Sequence, residues 1–163
     1  DHASAQGRDP NGFSLGLTLG DPTGVTFRAG IAERHAIQGA FGFSPVPGDA
    51  VVAMLDWTYD IWDFMPHNPT AGLQLFFGLG AKTEWFTGRY FVKWVGWRKE
   101  VRYEPERWDF GLGFRAVVGV RATFRKAPFD VFFEMAPLAV LFVVPEREAY
   151  YDFDAAFGAR YRF

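Results

Sequence analysis

Acyl transfer or hydrolysis by protein side chains needs a nucleophile within reach of a base, so serines and histidines are the first residues to place. The histidines are His2, His35 and His67, and the serines are Ser4, Ser14 and Ser44. His2 lies in a polar N-terminal stretch, and His35 and His67 lie in segments with turn chemistry, so no serine is expected to share a site with a histidine. Asp56 and Asp60, four residues apart, are the other pair that could move protons. Surrounded by opposite charges, they are expected to be structural. The chain has no phosphate-cradling glycine loop, dinucleotide fingerprint or zinc-ligand spacing, and it has no cysteine. The expectation is a non-enzymatic protein with no catalytic residue, no metal and no cofactor.

The remaining chemistry is electrostatic. Arg28, Asp56, Asp60, Lys82, Glu84, Arg115, Arg121, Asp130, Glu134, Asp152, Asp154 and Arg160 all fall on the polar side of stretches that alternate in period two. The clearest stretch is the last, 151–163. It sets Tyr151, Phe153, Ala155, Phe157, Ala159, Tyr161 and Phe163 on one face, against Asp152, Asp154, Gly158, Arg160 and Arg162 on the other. Seven more such stretches precede it, at 13–19, 25–32, 36–44, 51–62, 72–84, 108–124 and 129 to about 143. In each, Phe, Leu, Val, Ile, Ala or Trp fills one face, and Gly, Thr, Ser, Gln or a charged residue most of the other. The same alternation puts Trp62 on the polar face beside Asp60, and Phe76 there among glycines. Pro137 within the seventh stretch suggests a bulge. Turn residues separate the strands: 20–24, the tight 33–35 connection, 45–49, 64–70 with Pro66 and Pro69, 126–128 and 145–148.

Composition narrows what such strands can build. A chain of 163 residues makes one domain, and 19% aromatic residues with 19 Phe is a high share. No apolar run approaches the roughly 18 residues of a spanning helix, so membrane insertion would have to use strands of about 9–11 residues closed into a barrel. A formal net charge of −2 argues against a nucleic-acid partner. The start at Asp1 without an initiator Met suggests a mature form from which an export signal has been removed. Residues 1–12, with Gly7, Pro10 and Gly12, are expected to be a mobile leader.

The terminal aromatic pair Tyr161 and Phe163 resembles the ending of Gram-negative outer-membrane barrels. The eight amphipathic strands together resemble the small barrels of the OmpA, OmpX and OmpW type, over residues 13–163. That resemblance implies an all-β, eight-stranded antiparallel up-and-down transmembrane barrel with its apolar faces toward lipid and a filled polar lumen. It also implies outer-membrane localisation with both termini periplasmic, and recognition of Tyr161 and Phe163 by the barrel-assembly machinery. The alternative fold is a soluble eight-stranded barrel of the lipocalin kind, with the two faces inverted. An eight-stranded bore is just wide enough for side chains to fill, so opposite charges inside it are expected to pair.

In this scheme the long connection 85–107 is extracellular, either a loop or a ribbon extending the two flanking strands, and the rival count makes 86–103 a ninth strand. The 63–71 connection is longer than periplasmic turns usually are. Arg89, Lys93, Trp94, Trp97, Arg98, Lys99 and Arg102 in the long connection combine indoles with cations, a combination suited to lipopolysaccharide phosphates at the membrane interface. The functional expectation is a structural or interaction role among outer-membrane lipids and other envelope proteins, as a subunit of a larger surface assembly. The alternative is a narrow channel or a transporter of a small apolar ligand.

Overall fold

The computed structural model describes the backbone of residues 12–44, 50–95, 98–144 and 148–163, and the side chains of these except 86–109, 142–148 and 150. Residues 1–11 of the expected leader, the 45–49 connection, and residues 96–97 and 145–147 lie outside them. Eight strands follow one another: β1 (Phe13–Gly20), β2 (Thr23–Ala32), β3 (His35–Ser44), β4 (Ala50–Asp63), β5 (Ala71–Val95), β6 (Arg98–Phe124), β7 (Phe129–Val144) and β8 (Glu148–Arg162). Each pairs antiparallel with its neighbour in sequence, and the sheet closes when β8 pairs with β1, from Ser14 opposite Arg162 to Gly20 opposite Ala156. The fold is the closed, antiparallel, eight-stranded barrel that the family resemblance implies. Closure pairs the first and last strands, which would otherwise be the edges of the sheet.

The faces follow the period-two pattern. Leu17, Phe41, Leu55, Leu79, Phe114, Phe133 and Phe157 point away from the barrel, while Thr18, Gln38, Asp56, Lys82, Arg115, Glu134 and Arg160 are buried inside. The inverted, lipocalin-like arrangement is therefore not adopted. Thirty large apolar or aromatic side chains among the described residues are exposed, far more than scattered surface hydrophobes on a protein packed against water.

Two local expectations are corrected. Trp62 is exposed, not inward, because β4 slips by one residue against β5: Asp60 pairs with Phe76 and Trp62 with Leu75, which leaves Ile61 as the extra residue of a bulge. Both Ile61 and Trp62 then face out. Pro137 makes no bulge, since β7 keeps one register with β8 from Phe129 to Phe142 and one with β6 from Leu138 down to Asp130. The slip on β7 lies instead near its end, between the pairs of Phe110 and Gly111.

At one end, Gly20 adopts φ 123°, and Thr23 Oγ1 closes the turn by donating to the Gly20 carbonyl at 2.9 Å. At the other end the second turn is only Glu33 and Arg34, with Arg34 in the left-handed region at φ 67°. His35 begins β3 instead of belonging to that turn, and its ring lies against Trp57 and Tyr59. The longer 64–70 connection is tied to its surroundings. Asn68 Oδ1 accepts from the N–H groups of Thr70 and Ala71, and the Arg125 N–H donates to the Thr70 carbonyl at 2.9 Å.

Beyond Phe86 and Phe110, β5 and β6 pair only with each other among the described residues. They pair from Arg89 opposite Glu104 to Val95 opposite Arg98. The segment is thus a two-stranded continuation of the barrel wall and not a ninth strand of the sheet.

Candidate functional site in the barrel lumen

Inward-facing positions on all eight strands converge on one bore, and eleven ionisable side chains among the described residues are buried there. An isolated buried ion costs several kcal/mol, so each must find compensation. Three hubs supply most of it.

Toward the end that carries the termini, Asp60 on β4 sits between two arginines. Arg28 Nη2 is 3.1 Å from one carboxylate oxygen and Arg121 Nη2 is 2.8 Å from the other. Arg28 also donates to Thr58 Oγ1 at 2.7 Å, and its guanidinium lies over the ring of Phe76 at 5.9 Å. Mid-barrel, Arg115 reaches Glu134 at 3.2 Å and Asp154 at 3.3 Å, with Asp56 at 3.3 Å from its Nε. Gln38 donates to the second oxygen of Glu134 at 2.9 Å. Nearer the opposite end, Lys82 Nζ meets Asp154 at 2.8 Å, Glu84 at 3.0 Å and Asp21 at 3.2 Å. Asp154 bridges the second and third hubs.

Small residues create the space for these groups. A Cβ on Gly80 would fall 2.0 Å from Asp56 Oδ1, and one on Gly119 would fall 2.5 Å from the Phe76 ring. A third, on Gly158, would stand 2.7 Å from the ring of Phe132, on which Arg160 is stacked at 3.8 Å. Arg160 has no ion pair within 4 Å among the described residues. Its Nε and Nη2 donate to Thr26 Oγ1, and Asp130 is its neighbour across β7 and β8.

Not every group is satisfied. The contact between Arg115 Nε and Asp56 lies outside hydrogen-bond geometry, and among the described residues both Asp56 oxygens, Arg115 Nε, Gln38 Oε1 and one oxygen of Asp130 find no hydrogen-bond partner. Such groups are where buried water is held in proteins of this kind of interior.

Of the twelve charged residues expected inside, Arg28, Asp56, Asp60, Lys82, Glu84, Arg115, Arg121, Glu134 and Asp154 are brought together in ion pairs. Asp130 and Arg160 are buried beside them without one. Asp152 is half-buried, accepts from the Phe153 N–H at 2.8 Å, and pairs with no described cation. Asp21 joins Lys82 although its turn position gave no sign of it; its nearness to the sheet closure at Gly20–Ala156 was the available signal. Phe76 and Phe132 were legible as inward aromatics but not as platforms for arginine.

The remaining site residues lie elsewhere. Tyr161 and Phe163 meet edge to face at 5.1 Å on the outside of the barrel at the end that carries the termini, with Phe129 and Phe13 against them. Arg89, Lys93, Trp94, Arg98, Lys99 and Arg102 belong to the two-stranded continuation, where only the backbone is described, and Trp97 falls outside the described residues. His35 and Ser44 stand at opposite ends of β3, nine residues and roughly 30 Å apart at ~3.3 Å per residue. Ser44 Oγ donates to Asp21 instead, at 2.6 Å.

No protein-family model and no curated protein matches the chain. Among solved structures, the crystal structure of the N-terminal beta-barrel domain of Pseudomonas aeruginosa OprF superposes with a TM-score of 0.58 at 11% identity, over 94% of this chain and 98% of that one. The two share a fold. At that identity the likeness concerns architecture and carries no residue roles. The fold is that of this eight-stranded barrel domain, and the lumen of the present chain has Lys82, Arg115 and Asp60 as hubs.

Proposed function

We propose that this protein is an integral outer-membrane barrel, non-enzymatic, whose charged lumen is a rigid plug and whose work is structural or interactive. The observation that carries this is the inversion of the two faces: apolar side chains cover the outside while five cations and six carboxylates are buried within. Exposed to water, the outer face would cost far more than the lumen network returns; against hydrocarbon it is at home. The paired aromatics of the terminal rim, Tyr161 with Phe163 and His35 between Trp57 and Tyr59, suit a membrane interface. The separation of His35 from Ser44, and the arginines held by Asp60 and Asp56, support the absence of a hydrolytic site.

In this reading the continuation of β5 and β6 stands outside the bilayer and its cations, among them Arg98, Lys99 and Arg102, meet lipopolysaccharide phosphates or a partner. The tied turns and both termini face the periplasm. Refolding into phospholipid vesicles tests the main proposal: a compact, protease-resistant, heat-modifiable species is expected. A monomer that stays soluble without detergent would overturn it. Planar-bilayer recordings test the plug, with no steady conductance expected. A conductance abolished by Arg115→Ala or Glu134→Ala would replace the plug by an ion path. Loss of lipopolysaccharide retention in an Arg98→Ala, Lys99→Ala, Arg102→Ala triple variant is expected if the continuation binds headgroups, and equal retention would remove that role.

A further inference from the structure

The barrel wall has a break between β6 and β7. The two strands pair from Gly111 opposite Phe142 to Arg115 opposite Leu138, and again from Val118 opposite Met135 to Thr123 opposite Asp130, with no pair for Ala116 or Val117. Pro137 accounts for it, because proline has no N–H to give the ladder. Its other edge stays paired, Pro137 opposite Phe153 on β8, so the missing donor is the one that would point at β6. Over this gap the outer face holds a recess of about 400 Å³, bounded by Leu79, Phe114, Ala116, Pro137, Ala139 and Tyr151, with the inward-facing Arg115, Leu138 and Asp152 completing its lining.

The inner side of the wall also changes character here. From Ala136 to Val140, β7 is apolar on both faces. Ala136 joins Phe76 and Val117 in one buried cluster, and Leu138 and Val140 join Ala50 and Val52 in another. The apolar inner side of β7 here borders the mid-barrel hub, since Arg115 lies opposite Leu138 and Asp154 opposite Ala136.

We propose that the recess is a binding site for one acyl chain of a bilayer phospholipid. The inference rests on the membrane reading above: the recess opens onto the belt that this reading sets against lipid, and it is continuous with that surface. The small residues Ala116, Pro137 and Ala139 form a floor, and Leu79, Phe114 and Tyr151 rise beside it, which suits a thin chain. The volume falls within the roughly 300–1,000 Å³ of small-molecule sites. A larger recess of about 710 Å³ runs past Leu17, Phe133 and Phe157, but the β7–β8 and β8–β1 ladders beneath it are unbroken. It is a furrow between side chains and does not breach the wall.

The test is native mass spectrometry of protein folded into dimyristoylphosphatidylcholine vesicles and extracted into mild detergent. The native protein is expected to retain one phospholipid. Ala116→Leu fills the recess and Pro137→Ala restores the ladder donor, and each is expected to lower the retained fraction about tenfold. Ala53→Leu, an outward small residue on another part of the wall, is expected to leave it unchanged. Undiminished retention in Ala116→Leu and Pro137→Ala, or an equal loss in Ala53→Leu, overturns the site. If one of the two recess variants fails to insert, the other decides. Failure of the native protein itself to insert overturns the membrane reading and the site with it, whereas insertion with unchanged retention overturns the site alone.

Discussion

The guanidinium of Arg160 lies 3.8 Å above the ring of Phe132, inside the barrel, with no carboxylate within ion-pair distance among the described residues. A ring face is thus part of how this buried charge is stabilised, and Thr26 Oγ1 accepts the rest. Phe132→Leu keeps the site apolar but removes the platform. It is expected to lower stability by about 2–3 kcal/mol, combining lost packing with a desolvated cation–π contact. Urea unfolding in vesicles checks this, and a change within ±0.5 kcal/mol would show that the stacking carries no weight.

Gly158 should behave as the second half of that arrangement. A methyl there would stand 2.7 Å from the Phe132 ring and 2.4 Å from the Leu17 carbonyl, so the backbone as well as the ring would have to move. Gly158→Ala is expected to cost about 1–3 kcal/mol by overpacking, with part of the loss recovered in the double variant Gly158→Ala, Phe132→Leu. Simple additivity of the two losses would contradict the shared cause.

Arg115 is the hub whose removal strands the most charge. Arg115→Met leaves Glu134, Asp154 and Asp56 without their common cation and is expected to destabilise by about 3–5 kcal/mol. Lys82→Met strands Asp154 as well, so the two losses should not add; a coupling of about 0.5–3 kcal/mol is expected in a double-mutant cycle. Independent effects would mean that Asp154 does not connect the hubs.

Because the hubs are closed off from solvent, mobile ions cannot screen them. The unfolding midpoint is expected to change little when salt rises from about 0.05 to 0.5 M, although the Debye length shrinks several-fold over that range. A steep fall in stability with salt would place the network in contact with water.

On the outer face the cost of a charge should depend on depth. Leu55→Arg, in the middle of the wall, is expected to cost about 2–4 kcal/mol in vesicle-folded protein, and Tyr161→Arg, at the rim, about 0–1. Equal costs at the two positions would argue against a hydrocarbon slab around the barrel.

How far the fold was legible depended on how local its cause was. Inside and outside along each strand could be read directly, as at Leu15, Leu17 and Leu19 against Ser14 and Thr18, because side-chain direction has a period of two whatever the neighbours do. The reading failed where a neighbour intervened. Trp62 turned outward because β4 slips against β5 at Ile61, a property of the pair and not of either strand. Pro137 was recognised as a disturbance, but its effect was a missing rung between β6 and β7 and not a shifted register.

By itself the chain of residues determined the strands, their count and which faces are charged, since alternation, glycine and proline act over a few residues. Only the tertiary structure decided which charges meet. Gln38 reaches Glu134 and Lys82 reaches Asp154 across 96 and 72 residues of sequence, because closing the sheet through β1 and β8 brings distant strands to face one another across one bore. Asp21 entered the network and Asp152 stayed out of its described ion pairs for the same reason. Asp152 alternates as a lumen carboxylate does and Asp21 belongs to a turn, but their positions relative to Lys82 and Arg115 are set by how the cylinder closes.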